Sequence, residues 1–166
     1  MVCVAVDVLM SDDNLAYAKP IRHLYDEYTK MLNSSKSHFS KIQDEITLDE
    51  FTKYLELAKN RYVTVLAIHK KDEQDYIGGP VALAKIIKRP ENTCEVCIIV
   101  KEEERGKGIG TSVMNKLLQY AHNDLAYRTV FARSFGTDNE AAKFLKKCSF
   151  ELHSMDCGVI HYRHNR

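Results

Sequence analysis

The sequence predicts a single α/β domain built on a mixed, mostly antiparallel sheet, and three observations lead to this prediction. Short β-rich runs alternate with amphipathic segments along all 166 residues, three β-rich runs follow one another in the middle of the chain, and a strand–helix–strand unit comes after them. The elements follow the order β-α-α-β-β-β-α-β-α-β-β, without internal repeats or linkers. By its length the chain forms one domain, so we expect residues 1–166 to fold together.

Composition and charge narrow the class of protein. The formal net charge of +1 argues against nucleic acid and against a membrane surface as partner, and no apolar run reaches the roughly 18 residues of a membrane-spanning helix. The first residues, "MVCVAVDVLMSDDN", lack a basic leader and carry Asp7, so they predict a strand rather than a signal peptide. An odd number of cysteines, five, without a secretory signal indicates reduced thiols. We expect a cytoplasmic protein.

The first half of the chain predicts a strand and two helices. Residues 2–9 alternate valine with other residues, and "SDDN" after them is typical of a turn or a helix cap. Apolar residues at helical spacing follow Pro20, and a polar loop separates them from a second helix. Thr47 and Glu50 form a capping box at the start of that helix, whose apolar face is Phe51, Tyr54, Leu55 and Ala58.

The second half predicts three strands, a helix, a strand, a helix and a closing pair of strands. The runs 62–69, 80–87 and 94–100 are apolar, with polar turns between them. Residues 129–134 form a fifth strand, and Asp138 or Asn139 caps a short helix before a hairpin around Gly158. Between residues 100 and 129 lies a helix with an apolar residue at every fourth position: Ile109, Val113, Leu117 and Ala121.

The glycine-rich turn before that helix, "RGKGIG" at residues 105–110, predicts a phosphate site. Glycines let the backbone approach a ligand closely, the helix start offers N–H groups and a partial positive charge, and Arg105 and Lys107 add cations. A P-loop would need Gly-Lys-Ser/Thr, and the dinucleotide motif would place its third glycine at Thr111, so neither fits. What remains is R-x-x-G-x-G, met by Arg105, Gly108 and Gly110; a connection without a ligand is the alternative.

At these residues the chain resembles the GNAT superfamily of acetyl-CoA-dependent N-acetyltransferases, which bind the CoA pyrophosphate on this turn. A second segment, "DNEAAKFLKKCSF" at residues 138–150, is similar to the family's N-x-x-A-x-x-x-Y-x-x-x-G-F region. The resemblance covers the whole chain and implies acetyl-CoA as co-substrate, without a metal. It assigns the following residues to the cofactor: Ile98, Ile99, Val100, Arg105, Gly106, Lys107, Gly108, Ile109, Gly110, Thr111, Asn139, Ala142, Lys143 and Phe144.

Two positions depart from the family pattern. Leu145 stands where the family usually has the tyrosine that protonates the departing CoA thiolate, and Ser149 stands where it usually has glycine. Cys148, Tyr127 and solvent remain open as the source of that proton.

The reaction that the resemblance implies is attack of a neutral primary amine on a thioester. Strand alternation places Glu95 and Cys97 on one face of the strand 94–100. Glu95 is the only acid on this strand, and it is our candidate for the general base or for a group that positions the amine through water. A carboxylate at the solvent boundary of the sheet is the alternative.

Several segments resemble one branch of the family, the glucosamine 6-phosphate N-acetyltransferases. They are "ITLDEFTKYLELAKNRYVTVLAIHKKD", "LAYRTVFA" and "KFLKKCSF". This resemblance implies formation of N-acetylglucosamine 6-phosphate for UDP-GlcNAc biosynthesis, a homodimer, Arg128 as phosphate ligand, and Glu95 and Cys97 beside the substrate. Lys88 or Arg89 would help to bind the sugar phosphate. The branch's acid-acid-valine signature and its basic-aromatic loop are absent, which makes the chain a divergent member.

Other functions stay open. One is an acetyltransferase for a polyamine, an amino acid, or a protein lysine or N-terminus, although a near-neutral charge balance does not favour a polyamine. Another is a non-catalytic acyl-CoA-binding module, which Leu145 would suit. Cys94 and Cys97 suggest a zinc or redox pair, but strand residues three apart face opposite ways. The pair His161 and His164 belongs either to a solvated terminus or to a neighbouring subunit's phosphate site.

Overall fold

A computed structural model describes residues 7–34, 45–59, 62–136 and 138–166. Within these ranges eight strands form one open sheet, and four α-helices pack on its two faces. None of the described helices is long and apolar enough to cross a membrane. The strands are β1 Val8–Ser11, β2 Leu15–Ala18, β3 Val63–Lys71, β4 Ile77–Arg89, β5 Thr93–Val100, β6 Thr129–Phe135, β7 Glu151–Asp156 and β8 Val159–Asn165. The helices are α1 Tyr25–Ser34, α2 Leu48–Lys59, α3 Ile109–Gln119 and α4 Asn139–Lys147.

The sheet has the spatial order β1-β2-β3-β4-β5-β6-β8-β7. Every neighbouring pair is antiparallel except β5 and β6, which run parallel and are connected through α3. The predicted α/β class with a mixed, mostly antiparallel sheet is therefore confirmed.

The N-terminal region contains one strand more than the sequence predicts. The predicted strand at residues 2–9 lies partly outside the described residues, and β1 begins only at Val8. The "SDDN" cluster is a turn between strands, because the side chain of Asp12 accepts hydrogen bonds from the backbone N–H groups of Asn14 and Leu15 at 3.0 and 2.8 Å. The four residues of β2 that follow are all buried, and a run this short does not distinguish strand from helix by its pattern.

The helices agree with their sequence signals in type and differ at their ends. The chain after Pro20 first makes a 3-10 turn, Arg22–Leu24, before α1 begins. The capping box of α2 is confirmed, since the N–H of Glu50 donates to Thr47 Oγ1 at 3.2 Å and the N–H of Thr47 donates to Glu50 Oε2 at 2.8 Å. The apolar rhythm of α3 continues past its end into a π-helical segment, Tyr120–Asp124, which keeps Ala121 buried.

The two faces of the sheet bury two apolar clusters. On one face α3 and α4 cover alternate residues of β3, β4 and β5, among them Ile68, Ala84 and Val96. On the other face α1 and α2 cover the residues between them, such as Ala67, Leu83 and Ile99. Cys94 and Cys148 belong to the first cluster as small apolar residues.

Candidate active site

The parallel strands β5 and β6 pair over only three residues each and then separate. The last pair is Glu95 with Phe131. Beyond it β5 remains paired with β4 as far as Val100, while β6 remains paired with β8 as far as Phe135. We call the resulting gap between residues 96–100 and 132–135 the fork. A cavity of about 910 Å³ lies in the fork and extends to the glycine turn.

The glycine turn places an uncapped helix start at the edge of this cavity. Gly106 and Gly108 have φ angles of 74° and 82°, in the left-handed region that favours glycine. Gly108 is the N-cap of α3, and no side chain caps that helix, whereas Thr47 caps α2 and Asp138 caps α4. The first N–H groups of α3 thus have no side-chain acceptor in the described structure, and the helix dipole adds a partial positive charge. The arrangement fits an anion such as the pyrophosphate of CoA.

The third glycine of the turn has a packing role. A Cβ added at Gly110 would lie 3.4 Å from Cε2 of Phe144 and 3.6 Å from Cγ2 of Val100. Gly110 therefore lets the ring of Phe144, on α4, approach the first turn of α3 at the wall of the cavity.

The two cations of the turn are held in different ways. The Nε–H of Arg105, which lines the cavity, donates to the backbone oxygen of Val100 at 3.1 Å. Lys107 does not line the cavity, and its Nζ lies 3.2 Å from Oε2 of Glu104. Glu104 also binds Lys70, and the hydrogen bond from Lys70 is the main reason why the pKa of Glu104 lies below its usual value.

Helix α4 supplies the opposite wall. The side chain of Asp138 accepts a hydrogen bond from the N–H of Ala141 at 3.0 Å and fixes the start of the helix. Leu145 lines the cavity and also belongs to the apolar core. Because its side chain is a hydrocarbon, this position carries no proton donor. Cys148 and Tyr127 do not reach the cavity, and burial raises the pKa of each. Among the described residues that line the cavity there is no tyrosine.

Glu95 lies at the vertex of the fork, buried between two arginines. Its Oε1 is 2.6 Å from Nη2 of Arg133 on β6, and its Oε2 is 2.7 Å from Nη2 of Arg89 at the end of β4. Only 10% of its side chain is exposed. Oε2 accepts a charge-assisted hydrogen bond from Arg89, and Oε1 forms an ion pair with Arg133, so the single negative charge of Glu95 faces two cations.

The thiol of Cys97 also lines the cavity, on the same face of β5 as Glu95. Burial raises its pKa to about 11, which keeps the thiol neutral near neutral pH. Cys94 points to the opposite face and is fully buried in the core, so the two sulfurs do not form a pair. The described residues contain no group of three or more His, Cys, Asp or Glu side chains placed to hold a metal ion.

The structure does not bring Arg128 to the cavity. Arg128 precedes β6 at the end away from the fork, roughly 13 Å along the chain direction from Ala132 at the strand's rise per residue. It lines a separate hollow of about 620 Å³ together with Tyr127, Thr129 and Asn165. The sequence could not show this separation, because it depends on where β5 and β6 part.

The terminal histidines do not lie in a solvated terminus. His161 and His164 belong to β8 rather than to a solvated tail, and His164 Nδ1 lies 3.0 Å from Nε2 of His122. His122 Nδ1 donates to the backbone oxygen of Tyr127 at 2.8 Å, so in the neutral pair His164 donates to His122.

Sequence reasoning found most of one wall of the cavity and less of the other. Of the residues that the sequence assigned to the cofactor or the substrate, those that line the cavity are Glu95, Cys97, Ile98, Ile99, Val100, Arg105, Gly106, Gly108, Gly110, Thr111, Lys143 and Phe144. Outside its lining are Lys107, Ile109, Asn139, Ala142 and Arg128. Lining residues that the sequence did not indicate include Met114, Ala132, Arg133, Phe135, Asp138, Ala141 and Val159. The one available signal for Arg133 was that it is the single charged residue of its strand.

The sheet forks at its one parallel pair and has an uncapped helix start at the fork, and this arrangement suits a CoA-dependent acyltransferase. The family model of the acetyltransferase (GNAT) family matches residues 21–150, and the chain belongs to this family. It is an N-acetyltransferase with acetyl-CoA as co-substrate. A comparison with curated protein sequences finds no match.

Solved structures share the fold at low sequence identity. A domain from Methanocaldococcus jannaschii DSM 2661 superposes with a TM-score of 0.80 at 13% identity, over 93% of this chain and 100% of that one. An N-acetyltransferase from Staphylococcus aureus Mu50 gives 0.72 at 18% identity, over 92% and 99% of the two chains. Spermidine N-acetyltransferase from Vibrio cholerae, in complex with CoA and spermine, gives 0.76 at 15% identity, over 93% and 96%.

Proposed function

We propose that the protein transfers the acetyl group of acetyl-CoA to the primary amine of a small molecule, and that glucosamine 6-phosphate is the first acceptor to test. The fork, with the uncapped start of α3 at its edge, is the observation that carries the proposal. We also propose a cytoplasmic homodimer, as the resemblance to glucosamine 6-phosphate N-acetyltransferases implies.

In this proposal the two ends of the cavity have different tasks. The turn at residues 105–111 and the start of α3 bind the pyrophosphate, with Arg105 and Lys107 as cations and the N–H groups of the helix start as donors. Residues 98–100 of β5, no longer paired with β6, bind the pantetheine arm along their open edge. Acetyl-CoA supplies the thioester that the amine attacks. On α4 we assign contacts with the cofactor to Lys143 and Phe144, which line the cavity, and to Asn139 and Ala142 beside them.

We propose that Glu95 positions groups on the acceptor side rather than taking the amine proton. Each of its oxygens already forms an ion pair with a guanidinium group, so neither is directed solely at the cavity. Water in the cavity is then the base for the amine and the acid for the departing thiolate, since Leu145 offers no proton. If Glu95 were the base, Glu95→Gln would remove the rise of the rate with pH on the acidic limb of the pH–rate profile; we expect the profile to keep its shape.

Two other functions are weaker. Several structural relatives are spermidine N-acetyltransferases, but at 15 to 16% identity their likeness extends to the fold alone. The guanidinium groups of Arg89 and Arg133 beside the cavity would repel a polycation. A non-catalytic acyl-CoA-binding module would retain the turn and lack a proton donor at Leu145.

The test is a thiol-release assay with acetyl-CoA and a panel of amines, combined with calorimetric binding of CoA. We expect release with glucosamine 6-phosphate and little release with spermidine. Tight CoA binding without release for any amine would favour the non-catalytic module, and release with spermidine alone would favour the polyamine enzyme.

A further inference from the structure

We propose that Arg89 and Arg133 form an anion-binding subsite for the acceptor, and that Glu95 is the positioning residue that holds them in place. The acceptor is therefore a primary amine that also carries a phosphate or a carboxylate. This inference deepens the proposed function and rests on it.

The three side chains connect three strands at the vertex of the fork. Arg89 is the last residue of β4, Glu95 lies on β5 in the final pair with β6, and Arg133 lies on β6 just beyond that pair. The ion pair of Glu95 with Arg133, at 2.6 Å, crosses from β5 to β6 where their backbone pairing stops, and the ion pair with Arg89, at 2.7 Å, connects β5 to β4. Glu95 and Arg133 both line the cavity, on either side of it.

The carboxylate of the three side chains is buried, whereas the two arginines are partly exposed, as a binding site for an anion requires. Glu95 is 10% exposed at its side chain, whereas Arg89 and Arg133 are 45% and 49% exposed. Among the described residues Glu95 is the only ion-pair partner of either arginine. A guanidinium group has five N–H donors, so each arginine keeps donors for a second oxyanion after it has bound Glu95.

The surrounding face of the sheet has an excess of positive charge. Residues opposite each other in register share a face, as do alternate residues along a strand. By these rules the face of Glu95 also carries Lys85 through its pairing with Cys97, and Arg163 through its pairing with Phe131. On β4 to β8, four cations, Lys85, Arg89, Arg133 and Arg163, then stand against three carboxylates, Glu95, Glu151 and Asp156.

Two further observations agree with an anion at this place. The Nε of Arg163 is buried and has no hydrogen-bond partner in the described structure, so a donor of the same face remains unsatisfied. Burial is the main influence on the pKa of the Cys97 thiol in the cavity wall; Lys85 and Arg133 act to lower that pKa, and Glu95 acts to raise it. A positive field also favours the neutral form of a nearby amine, which is the form that attacks a thioester.

The experiment compares charged and neutral acceptors in matched variants. Arg133→Gln and Arg89→Gln each remove one guanidinium group, and Arg22→Gln, an exposed arginine on the 3-10 turn before α1, is the control. For Arg133→Gln we expect the KM for glucosamine 6-phosphate to rise about 10- to 100-fold, the range for loss of a hydrogen bond between charged groups. The KM for glucosamine 6-phosphate should rise more than the KM for unphosphorylated glucosamine, and Arg22→Gln should leave both values unchanged. Arg133→Lys should restore part of the affinity.

Glu95→Gln tests the positioning role. We expect it to lower the preference for glucosamine 6-phosphate over glucosamine, because the neutral amide no longer fixes the positions of the two guanidinium groups relative to each other. A side chain that served only the stability of the sheet would lower the rates with both amines alike and leave this preference unchanged, and that result would overturn the inference.

A binding measurement separates this inference from the proposed function. Titration of glucosamine 6-phosphate into the complex with CoA, which has no acetyl group to transfer, requires no turnover. Saturable binding that is weakened in Arg133→Gln but not in Arg22→Gln would support the subsite even if no amine released thiol. Thiol release with neutral amines, together with no binding of the sugar phosphate or of an amino acid to the CoA complex, would overturn the subsite and leave the acetyltransferase proposal standing.

Discussion

Replacing Gly108 by alanine tests the glycine turn at the residue where α3 begins. Gly108 has φ +82° and ψ −1°, and no atom lies within 4 Å of the place where a Cβ would be added. The substitution therefore changes the backbone preference without a steric clash. The left-handed conformation costs about 1–2 kcal/mol for a residue with a Cβ, and the lower entropy of the unfolded chain offsets about 0.4–1 kcal/mol of it.

The expected net loss of stability is about 1 kcal/mol, which lowers the Tm of a chain of this size by about 2–4 °C. The effect on CoA should be larger. If the turn relaxes away from the left-handed conformation, the N–H groups at the start of α3 lose their alignment with the pyrophosphate, and we expect CoA affinity to fall about tenfold. Thermal unfolding followed by circular dichroism and calorimetric titration of CoA measure the two effects.

Gly79→Ala is the matched control. Gly79 lies on β4 outside the cavity, has an ordinary φ angle and has no atom within 4 Å of an added Cβ, so we expect unchanged CoA affinity and equal or slightly higher stability. A Gly108→Ala protein that lost stability but bound CoA normally would show that the turn is a connection only. Unchanged Tm and affinity together would refute the dihedral argument itself.

Two further predictions concern stability. Asp138→Ala removes the cap of α4 and should lower the free energy of unfolding by about 1 kcal/mol in urea denaturation, whereas Asp138→Asn should retain most of it; equal losses in the two variants would contradict the capping role. Burial, and then the charge of His122, lower the pKa of His164 in the folded protein, while Glu151 acts in the opposite direction. The unfolded chain therefore binds the proton first, and stability is full above about pH 6.5 and decreases as the pH falls below it. In Tm measurements from pH 8 to pH 5 the decrease should be shallower for His164→Gln than for the parent protein; parallel curves would speak against the pair.

Features that depend on neighbouring residues could be predicted from the sequence. The capping box of Thr47 and Glu50 forms within four residues, and its hydrogen bonds are those that the sequence indicates. The glycine turn is equally local, since Gly106 and Gly108 adopt φ angles that few other residues tolerate.

Features that depend on how distant strands meet could not be predicted. The sequence placed Glu95 and Cys97 on one face of their strand, but the partners of Glu95 lie on β4 and β6, and their approach follows from the register of two separate pairings. Arg128 shows the same limit in reverse. The prediction of Arg128 as a phosphate ligand rested on the local sequence around it. Its distance from the cavity depends instead on where β6 separates from β5, which is only after Phe131.

The fork also separates the sheet into two groups of strands that have few connections between them. Strands β1 to β5 lie on one side of the fork and β6 to β8 on the other. Three ladder pairs, the ion pair between Glu95 and Arg133, and the connection through α3 join the two groups of strands. A ligand bound in the fork contacts both groups of strands, so its binding stabilises the folded sheet against separation of β5 and β6. At a concentration of one hundred times its Kd it would raise the free energy of unfolding by about 2.7 kcal/mol, or the Tm by about 5–10 °C. The Tm measured with acetyl-CoA and then with the acceptor would thus show whether each of them binds in the fork, without the need to observe a reaction.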